Sequence, residues 1–290
     1  ASDVYKRQAL RGRGKLPDVT IRARLAALAL LLITLSWTRP ALAQDPLWTR
    51  PFAPFRLVGN IYWVGTWDLS TYLITTPQGH ILVNTGLAST VPDIVKNVEA
   101  LGFHMADVRI LTVTHGHYDH AAGLAELKRL THARVLAPEA DKVLLETGGR
   151  ADFRFGQMAA AQFEPVTVDG TFGDEGTISL GGTTLTAHLH AGHTRGATSF
   201  TTTIADGGRS YRVAIVNMGS INPGVTLTGT TGFTYPGIAQ DYAKTFLAQK
   251  DMQVDIFLAS HASQFRMHEK HAPGDAYAPE RFVDPQGFLR

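Results

Sequence analysis

The chain has 290 residues, of which 44% are hydrophobic and 18% charged, and it contains no cysteine. This supplies a full core for one large domain or two ordinary ones, and it excludes a small fold that depends on disulfides. The formal net charge is +2, but residues 1–43 hold eight of the 27 basic and two of the 25 acidic residues. The other 19 basic and 23 acidic residues leave no basic footprint for nucleic-acid binding.

The first element in chain order is a predicted export leader. Two arginines precede an apolar run over residues 25–35, and the Ala-x-Ala pattern at 41–43 matches a signal-peptidase site. The apolar run is too short to favour a membrane-spanning helix. We therefore predict an N-terminal extension and secretory signal peptide over 1–43 and a single folded domain over 44–290. The mature protein would be periplasmic or secreted, with no stable membrane anchor.

The elements that follow are read from apolar periodicity and turn residues. Strands are predicted near 61–64, 71–75, 80–84, 108–113, 134–137 and 256–259. Helices are predicted over 91–101, 122–130, 138–146 and 238–249. Between 166 and 216 the pattern is mostly strands, broken by Gly-Gly and Asp-Gly turns. No repeat and no low-complexity linker interrupts residues 44–290.

A dense group of metal-binding side chains follows the apolar strand at 108–113. Within six residues the chain places His115, His117, Asp119 and His120. Imidazole and carboxylate are the usual nitrogen and oxygen ligands of zinc, and an ordinary loop gains nothing from so many of them. Alternation along an extended chain sends the first two histidines one way, while the other two ligands can face a second ion. The alternative is a polar turn with scattered surface histidines.

The other histidines are sorted by their position relative to strands. His193 and His261 lie at predicted strand ends, where the functional loops of layered α/β folds collect, so we favour them as further ligands. His188 and His190 lie inside a predicted strand and are interpreted as structural. No role is assigned to His80, His104, His132, His268 and His271.

Together these motifs resemble the metallo-β-lactamase superfamily of zinc hydrolases: His-x-His-x-Asp-His at 115–120, Gly-His-Thr at 192–194 and Ser-His at 260–261. The resemblance extends over residues 55–287 and is similar to the third subclass of class B β-lactamases. It implies an αβ/βα four-layer sandwich with two Zn²⁺ per chain at one edge. Carried over to this chain, His115, His117 and His193 would hold one zinc and Asp119, His120 and His261 the other. It also implies that part of a C-terminal helix lies beyond residue 290.

Two absences separate the members of this superfamily. Other class B subclasses place a cysteine on the second zinc, and this chain has none. Thioesterases, acyl-homoserine lactonases and nucleases of the superfamily carry a bridging aspartate on the strand after Gly-His, but residues 213–220 contain none. Asp206 is interpreted as part of a hairpin turn. A lactone or thioester hydrolase of the same fold remains the alternative enzyme, and a non-catalytic zinc-binding module is a third hypothesis.

The resemblance implies a monomeric enzyme that opens the ring of penicillins, cephalosporins and carbapenems with a metal-bound hydroxide, without a covalent intermediate. Asp119 would ligate the second zinc and orient the nucleophile. The candidates for contacting the small-molecule β-lactam are Ser220, Asn222, Thr194 and Arg195 as hydrogen-bond donors and Trp67 and Phe155 as apolar walls. The segment 222–224 is equally interpreted as a simple turn, and the aromatic residues as packing residues. Asp68 and Asn84 are expected to accept hydrogen bonds from the ligands.

Overall fold

The computed structural model of the protein describes residues 45–229 and 234–287. The predicted leader over 1–43 and the last three residues lie outside the described residues. Within the described ranges, no helix combines the length and the apolarity that crossing a membrane requires.

The first sheet has seven strands in chain order. It is antiparallel over its first four strands and parallel over the rest. The strands are Phe55–Val58 (β1), Ile61–Trp63 (β2), Tyr72–Thr76 (β3), Gly79–Val83 (β4), Val108–Thr112 (β5), Arg134–Pro138 (β6) and Gly170–Phe172 (β7). Five of these match predicted strands within two residues at each end; β1 was not predicted, and β7 lies in the region predicted only as mostly strands.

The second sheet has five strands, and its spatial order is the reverse of chain order. The strands are Ile256–Ala259 (β12), Arg209–Val216 (β11), Thr198–Asp206 (β10), Thr183–Leu189 (β9) and Thr177–Leu180 (β8). A two-residue turn joins β10 to β11, and both of its glycines have positive φ, 55° for Gly207 and 78° for Gly208. This confirms the hairpin predicted there, because only glycine adopts that conformation without steric cost.

The two sheets pack against each other through their apolar faces. Trp63, Tyr72 and Ile81 of the first sheet and Phe200 and Phe257 of the second belong to one core cluster, and each is at most 1% exposed. The helices are Val91–Ala100 (α1), Tyr118–Ala121 (α2), Leu124–Thr131 (α3), Lys142–Glu146 (α4), Ile238–Asp251 (α5) and Met267–Lys270 (α6). Two sheets flanked by helices confirm the predicted αβ/βα sandwich.

Two helix predictions differ from the structure. The helix predicted over 122–130 corresponds to α3, which begins two residues later at Leu124; the short helix α2 before it was not predicted, and the two are separated at Gly123. A side chain there would place its Cβ 2.5 Å from the Thr85 carbonyl oxygen, so the glycine permits a close approach. The helix predicted over 138–146 begins later, because Pro138 still pairs within the sheet and a 3-10 turn, Glu139–Asp141, follows it.

Contacts at one edge of the sandwich join the two sheets. Thr114, just past β5, accepts a backbone hydrogen bond from Thr198 of β10 at 2.8 Å. Its hydroxyl lies 2.9 Å from that of Ser260, just past β12. The segments that follow β5, β9 and β12 therefore meet at this edge.

Candidate metal centre

The loop after β5 and the short helix α2 place the first-motif side chains at the joined edge. His115 and His117 lie in the loop, and Asp119 and His120 lie on α2. All four are buried, with exposed fractions between 0% and 8%. The strand-end position that the sequence predicted is confirmed, and the burial shows that these are not surface histidines.

One group of ligand atoms comes from His115, His117 and His193, all within 4.8 Å of one another. Nδ1 of His117 and Nε2 of His193 are 3.1 Å apart, and Nε2 of His115 is buried without a hydrogen-bond partner. Nδ1 of His193 lies 2.7 Å from the Ser220 carbonyl oxygen, to which it donates. That bond fixes the proton on Nδ1 and leaves Nε2 with a free lone pair.

A second group surrounds Asp119 and His120. Their ligand atoms also lie within 4.8 Å of one from His115, which stands between the two groups. Nε2 of His261 is 3.2 Å from Nε2 of His120 and 3.5 Å from Oδ2 of Asp119. Six side chains of the predicted ligand sets therefore converge, although three different segments of the chain supply them.

The protonation states of three of these side chains suit a metal. Burial, with the charge of neighbouring imidazoles, lowers the pKa of His115 well below its ordinary value and that of His193 to about 3. Burial acts to raise the pKa of Asp119, but charge and hydrogen bonds from His120 and His261 outweigh it and hold the pKa well below the ordinary value. Neutral imidazole and ionised carboxylate are the forms that ligate a metal.

The donor set fits zinc. Buried ring nitrogens that face each other, and one with no partner at all, would leave lone pairs unsatisfied unless a cation were shared among them. Three imidazoles on one side and a carboxylate with two imidazoles on the other are nitrogen and oxygen ligand sets of catalytic zinc sites, in which positions stay open for water or substrate.

Hydrogen bonds behind the ligands confirm one of the two predicted outer contacts. Asp68 lies 2.9 Å from Nδ1 of His261. Burial acts to raise the pKa of Asp68, but the hydrogen bond and charge of His261 lower it to about 2. Asn84 does not touch a ligand: its side-chain oxygen accepts from the backbone and hydroxyl of Thr114, 2.9 and 3.1 Å away. Asn84 therefore holds the start of the loop after β5 rather than a ligand ring, and its predicted hydrogen bond to a ligand is wrong.

Asp152 is an outer contact that the sequence did not reveal. One of its carboxylate oxygens lies 3.2 Å from Nε2 of His117, and the other accepts the backbone N–H groups of Arg154 and Phe155. The carboxylate side chain is 2% exposed. It therefore orients an imidazole of the first group while also shaping the loop that carries Phe155.

Asp141 is a second unpredicted residue, and it joins the two histidine loops. One oxygen accepts from the Gly116 backbone at 2.8 Å and from the Thr194 hydroxyl at 2.7 Å, and the other from the Gly196 backbone at 2.8 Å. A Cβ on Gly196 would lie 2.7 Å from the carboxyl carbon of Asp141. Glycine at 196 thus lets this buried carboxylate reach both loops.

A cleft of about 130 Å³ opens onto the two groups. Ser220, Asn222 and Phe155 line it as predicted, with the Phe155 ring 5.0 Å from that of His117. Trp48 lines it too, with its ring 5.7 Å from that of His261. No sequence pattern distinguishes Trp48, which lies in a 3-10 turn, Pro46–Trp48.

Three predicted substrate contacts lie elsewhere. Trp67 stacks on His268, with ring centroids 4.1 Å apart. The Thr194 hydroxyl is committed to Asp141, and the residue is 1% exposed. The Arg195 guanidinium lies over the Tyr235 ring, 4.2 Å from its centroid. These three side chains have packing or hydrogen-bonding partners away from the cleft, which corrects their predicted direct role.

The structure also locates the two aspartate alternatives. Asp206 lies at the β10–β11 turn, where it pairs with Arg56 at 3.4 Å and accepts a hydrogen bond from Tyr277. It does not line the cleft. The cleft residue just past β11 is Asn217, so the strand end where a bridging carboxylate was sought carries an amide.

Comparison with known proteins agrees with this fold and site. The family model for the metallo-β-lactamase superfamily matches residues 64–206. The class B3 di-zinc metallo-β-lactamase LRA-12 from an Alaskan soil metagenome is 45% identical, with a TM-score of 0.82, over 87% of this chain and 94% of that one. The fold and the site define a metallo-β-lactamase domain. The chain belongs to the metallo-β-lactamase superfamily, and within that superfamily it is similar to class B3 enzymes.

Two further relatives extend the comparison. The metallo-β-lactamase GOB-18 from Elizabethkingia meningoseptica is 43% identical, with a TM-score of 0.81, over 85% of this chain and 90% of that one. A metal-dependent hydrolase of Polaromonas sp. is 31% identical over 121 residues, which span 41% of this chain and 37% of the relative. The likeness to solved structures thus covers nearly whole chains, while the match to this hydrolase covers little more than a third of its length.

Proposed function

We propose that this protein is a zinc-dependent hydrolase that opens the ring of β-lactam antibiotics. The observation that supports it most is the convergence of buried ring nitrogens, one of them without a hydrogen-bond partner, and one ionised carboxylate at the floor of a cleft. LRA-12, which is named a class B3 di-zinc metallo-β-lactamase, gives the substrate class.

Two zinc ions would be held by two sets of three ligands. His115, His117 and His193 would hold one ion, because their ring nitrogens face one another. Asp119, His120 and His261 would hold the other. We assign His261 rather than His115 to this second set because His115 has a single unpartnered nitrogen, which the first set uses. Bound zinc would supply Lewis-acid stabilisation of the carbonyl oxygen and a water activated at neutral pH.

The protein's own groups would position the reactants. The Asp119 carboxylate would accept a hydrogen bond from the attacking water and align it with the ring carbonyl carbon. Ser220 and Asn222 would donate to the substrate carboxylate. Phe155 and Trp48 would bound the cleft on its apolar sides. We propose this set in place of the sequence-based one because Trp67, Thr194 and Arg195 are engaged elsewhere.

The cleft does not offer an activated serine nucleophile. The Ser220 hydroxyl lies 3.2 Å from Nδ1 of His193, but that nitrogen donates its proton to the Ser220 carbonyl and has no lone pair with which to accept another. The Ser260 hydroxyl is bonded to Thr114. This arrangement supports hydrolysis without an acyl-enzyme formed on serine.

We also propose that the protein acts as a monomer in the periplasm or outside the cell after removal of residues 1–43. The support for export is the sequence pattern of those residues. Sequencing the N-terminus of protein purified from a bacterial periplasm tests it: a mature chain starting near Gln44 is expected, and one retaining residues 20–43 would contradict it.

A side-by-side assay tests the proposed activity. A carbapenem and an acyl-homoserine lactone are incubated with the enzyme, with and without a chelator. We expect turnover of the carbapenem that the chelator abolishes and that a serine-directed acylating inhibitor leaves unchanged. Lactone cleavage without β-lactam turnover would overturn the proposal in favour of the alternative hydrolase.

Metal analysis tests the two-site arrangement. Elemental analysis should give close to two zinc ions per chain, and the double variant His120→Ala, His261→Ala should retain one. A parent that binds a single ion, still present in the double variant, would contradict it.

A further inference from the structure

An open depression beside the cleft is large compared with the cleft itself. It has a volume of about 580 Å³ and is bounded by Met218, Gly219, Phe246 and Lys250. We name these four residues the Phe246 shelf. Met218 and the adjoining Ser220 line both the shelf and the cleft, so the two spaces are continuous.

The cleft alone is too small for a bicyclic antibiotic. Its 130 Å³ lies well below the roughly 300–1,000 Å³ that small-molecule sites usually have. A substrate whose reactive carbonyl reaches the metal ligands must therefore leave much of its volume outside. The shelf is the continuation of that space on the side where Ser220 borders it.

The shelf has an apolar floor and a charged rim. The Phe246 side chain, on α5, lies against the chain at Gly219, where a Cβ would be 2.9 Å from its ring. The residue is nevertheless 47% exposed, so part of its ring is open to a ligand on the shelf. Lys250, one turn further along α5, is exposed and forms no ion pair among the described residues.

We propose that the Phe246 shelf binds the substituent on the carboxylate-bearing ring of the substrate, and that it selects β-lactams with an extended planar apolar group there. This rests on the proposed function. In a cephalosporin, the carbon that bears the carboxylate is bonded to the carbon that bears the 3-substituent. A carboxylate held at Ser220 therefore places that substituent at the border of the shelf, over Met218 and Phe246. An aromatic group would stack on the Phe246 ring, and Lys250 would favour an anionic end.

Two cephalosporins with the same 7-acyl group test this proposal, one with a 3-styryl substituent and one with a 3-methyl group. In Phe246→Ala, the ratio of kcat/KM for the styryl to the methyl compound should fall about three- to tenfold, mainly through KM, the size of a lost aromatic contact. Phe246→Tyr should restore the ratio because it keeps the ring. Leu247→Ala is the control: this neighbour is 65% exposed and does not line the shelf, so the ratio should not change.

The outcomes separate two failures. If the parent hydrolyses neither cephalosporin, the proposed function is wrong and the shelf proposal falls with it. If the parent hydrolyses both but Phe246→Ala leaves their ratio unchanged, only the shelf proposal is overturned. A sedimentation measurement in which Phe246→Ala converts a dimer to a monomer, with that ratio unchanged, would make the shelf an interface between copies of this chain.

Discussion

The histidines of the cleft and those of β9 have the same side chain in opposite settings. In the cleft, Nδ1 of His117 faces Nε2 of His193, and a buried nitrogen of His115 has no partner. On β9, His188 lies 2.9 Å from Glu175 and 2.7 Å from Thr201. In the cleft, nitrogen lone pairs are left for a cation, whereas on β9 the nitrogens of the ring are bonded to other side chains of the protein. The two settings therefore differ in whether several ring nitrogens converge without protein partners, which the number of histidines in a segment does not show by itself.

The largest effect should come from the one carboxylate among the cleft ligands. Asp119→Asn keeps the size and one oxygen but removes the charge, so it should lower kcat by about 10²-fold or more, with a smaller effect on substrate affinity. The measurement is steady-state kinetics at saturating zinc, with metal content determined in parallel. Near-parental kcat in the zinc-loaded variant would mean that Asp119 does not orient the nucleophile.

Acid should affect the other side of the comparison through His190, the residue just past β9. This ring is 2% exposed, with Nδ1 2.6 Å from the Ser199 hydroxyl. Burial, and then the charge of His188, lowers its pKa to about 4. Because the unfolded chain binds this proton near pH 6.5 and the folded protein does not, the contribution to stability is complete above pH 6.5 and is lost as pH falls towards 4.

The expected loss between those pH values is at most about 3 kcal/mol for this one group. Urea unfolding of the chelator-treated protein at pH 7.5 and 4.5 measures it. His190→Asn removes the titration and should make the free energy of unfolding less sensitive to acid by that amount. Equal acid sensitivity in parent and variant would show that the ring is not held neutral.

Asp152→Asn should have a smaller effect on the cleft side. The amide keeps an oxygen for the backbone N–H groups of Arg154 and Phe155 but no longer gives His117 a carboxylate partner. Zinc affinity should fall about ten- to a hundredfold, the usual cost of losing an outer partner of a ligand. Competition with a chromophoric chelator measures it, and Asp251→Asn, at the exposed end of α5, is the matched control. Parental affinity in Asp152→Asn would contradict the role.

The sequence located the six proposed ligands better than the residues that support them, for a physical reason. The six proposed ligands are residue types that rarely cluster without a metal, and they follow apolar strands that are easily recognised. Asp152 lies in a polar loop 35 residues after His117, and nothing in Arg150-Ala151-Asp152 distinguishes it from a surface carboxylate. Its role exists only once the loop folds back over the first motif.

The same limit explains the errors at the substrate side. Thr194 and Arg195 directly follow the proposed ligand His193 in sequence, and for that reason they were predicted to contact the substrate. In the structure, the Thr194 hydroxyl instead donates a hydrogen bond to Asp141, which is 53 residues away in sequence and buried. The sandwich itself was predictable because its strands are apolar and its turns contain glycine pairs. The separate short helix α2 was not predicted, and the close approach of Gly123 to Thr85 that follows it exists only in the folded chain.

The smallest expected effect tests the comparison most directly. His188 has two hydrogen-bonding partners and a side chain that is 27% exposed, and its partner Glu175 is 70% exposed. Its ion pair therefore contributes little, since solvent screens such contacts. His188→Ala should leave zinc content and kcat unchanged and cost at most a small packing contribution. The paired variant His193→Ala, in the same motif, should lose one zinc ion. Elemental analysis of both variants distinguishes them, and loss of a zinc ion from His188→Ala would move the ligand assignment away from His193.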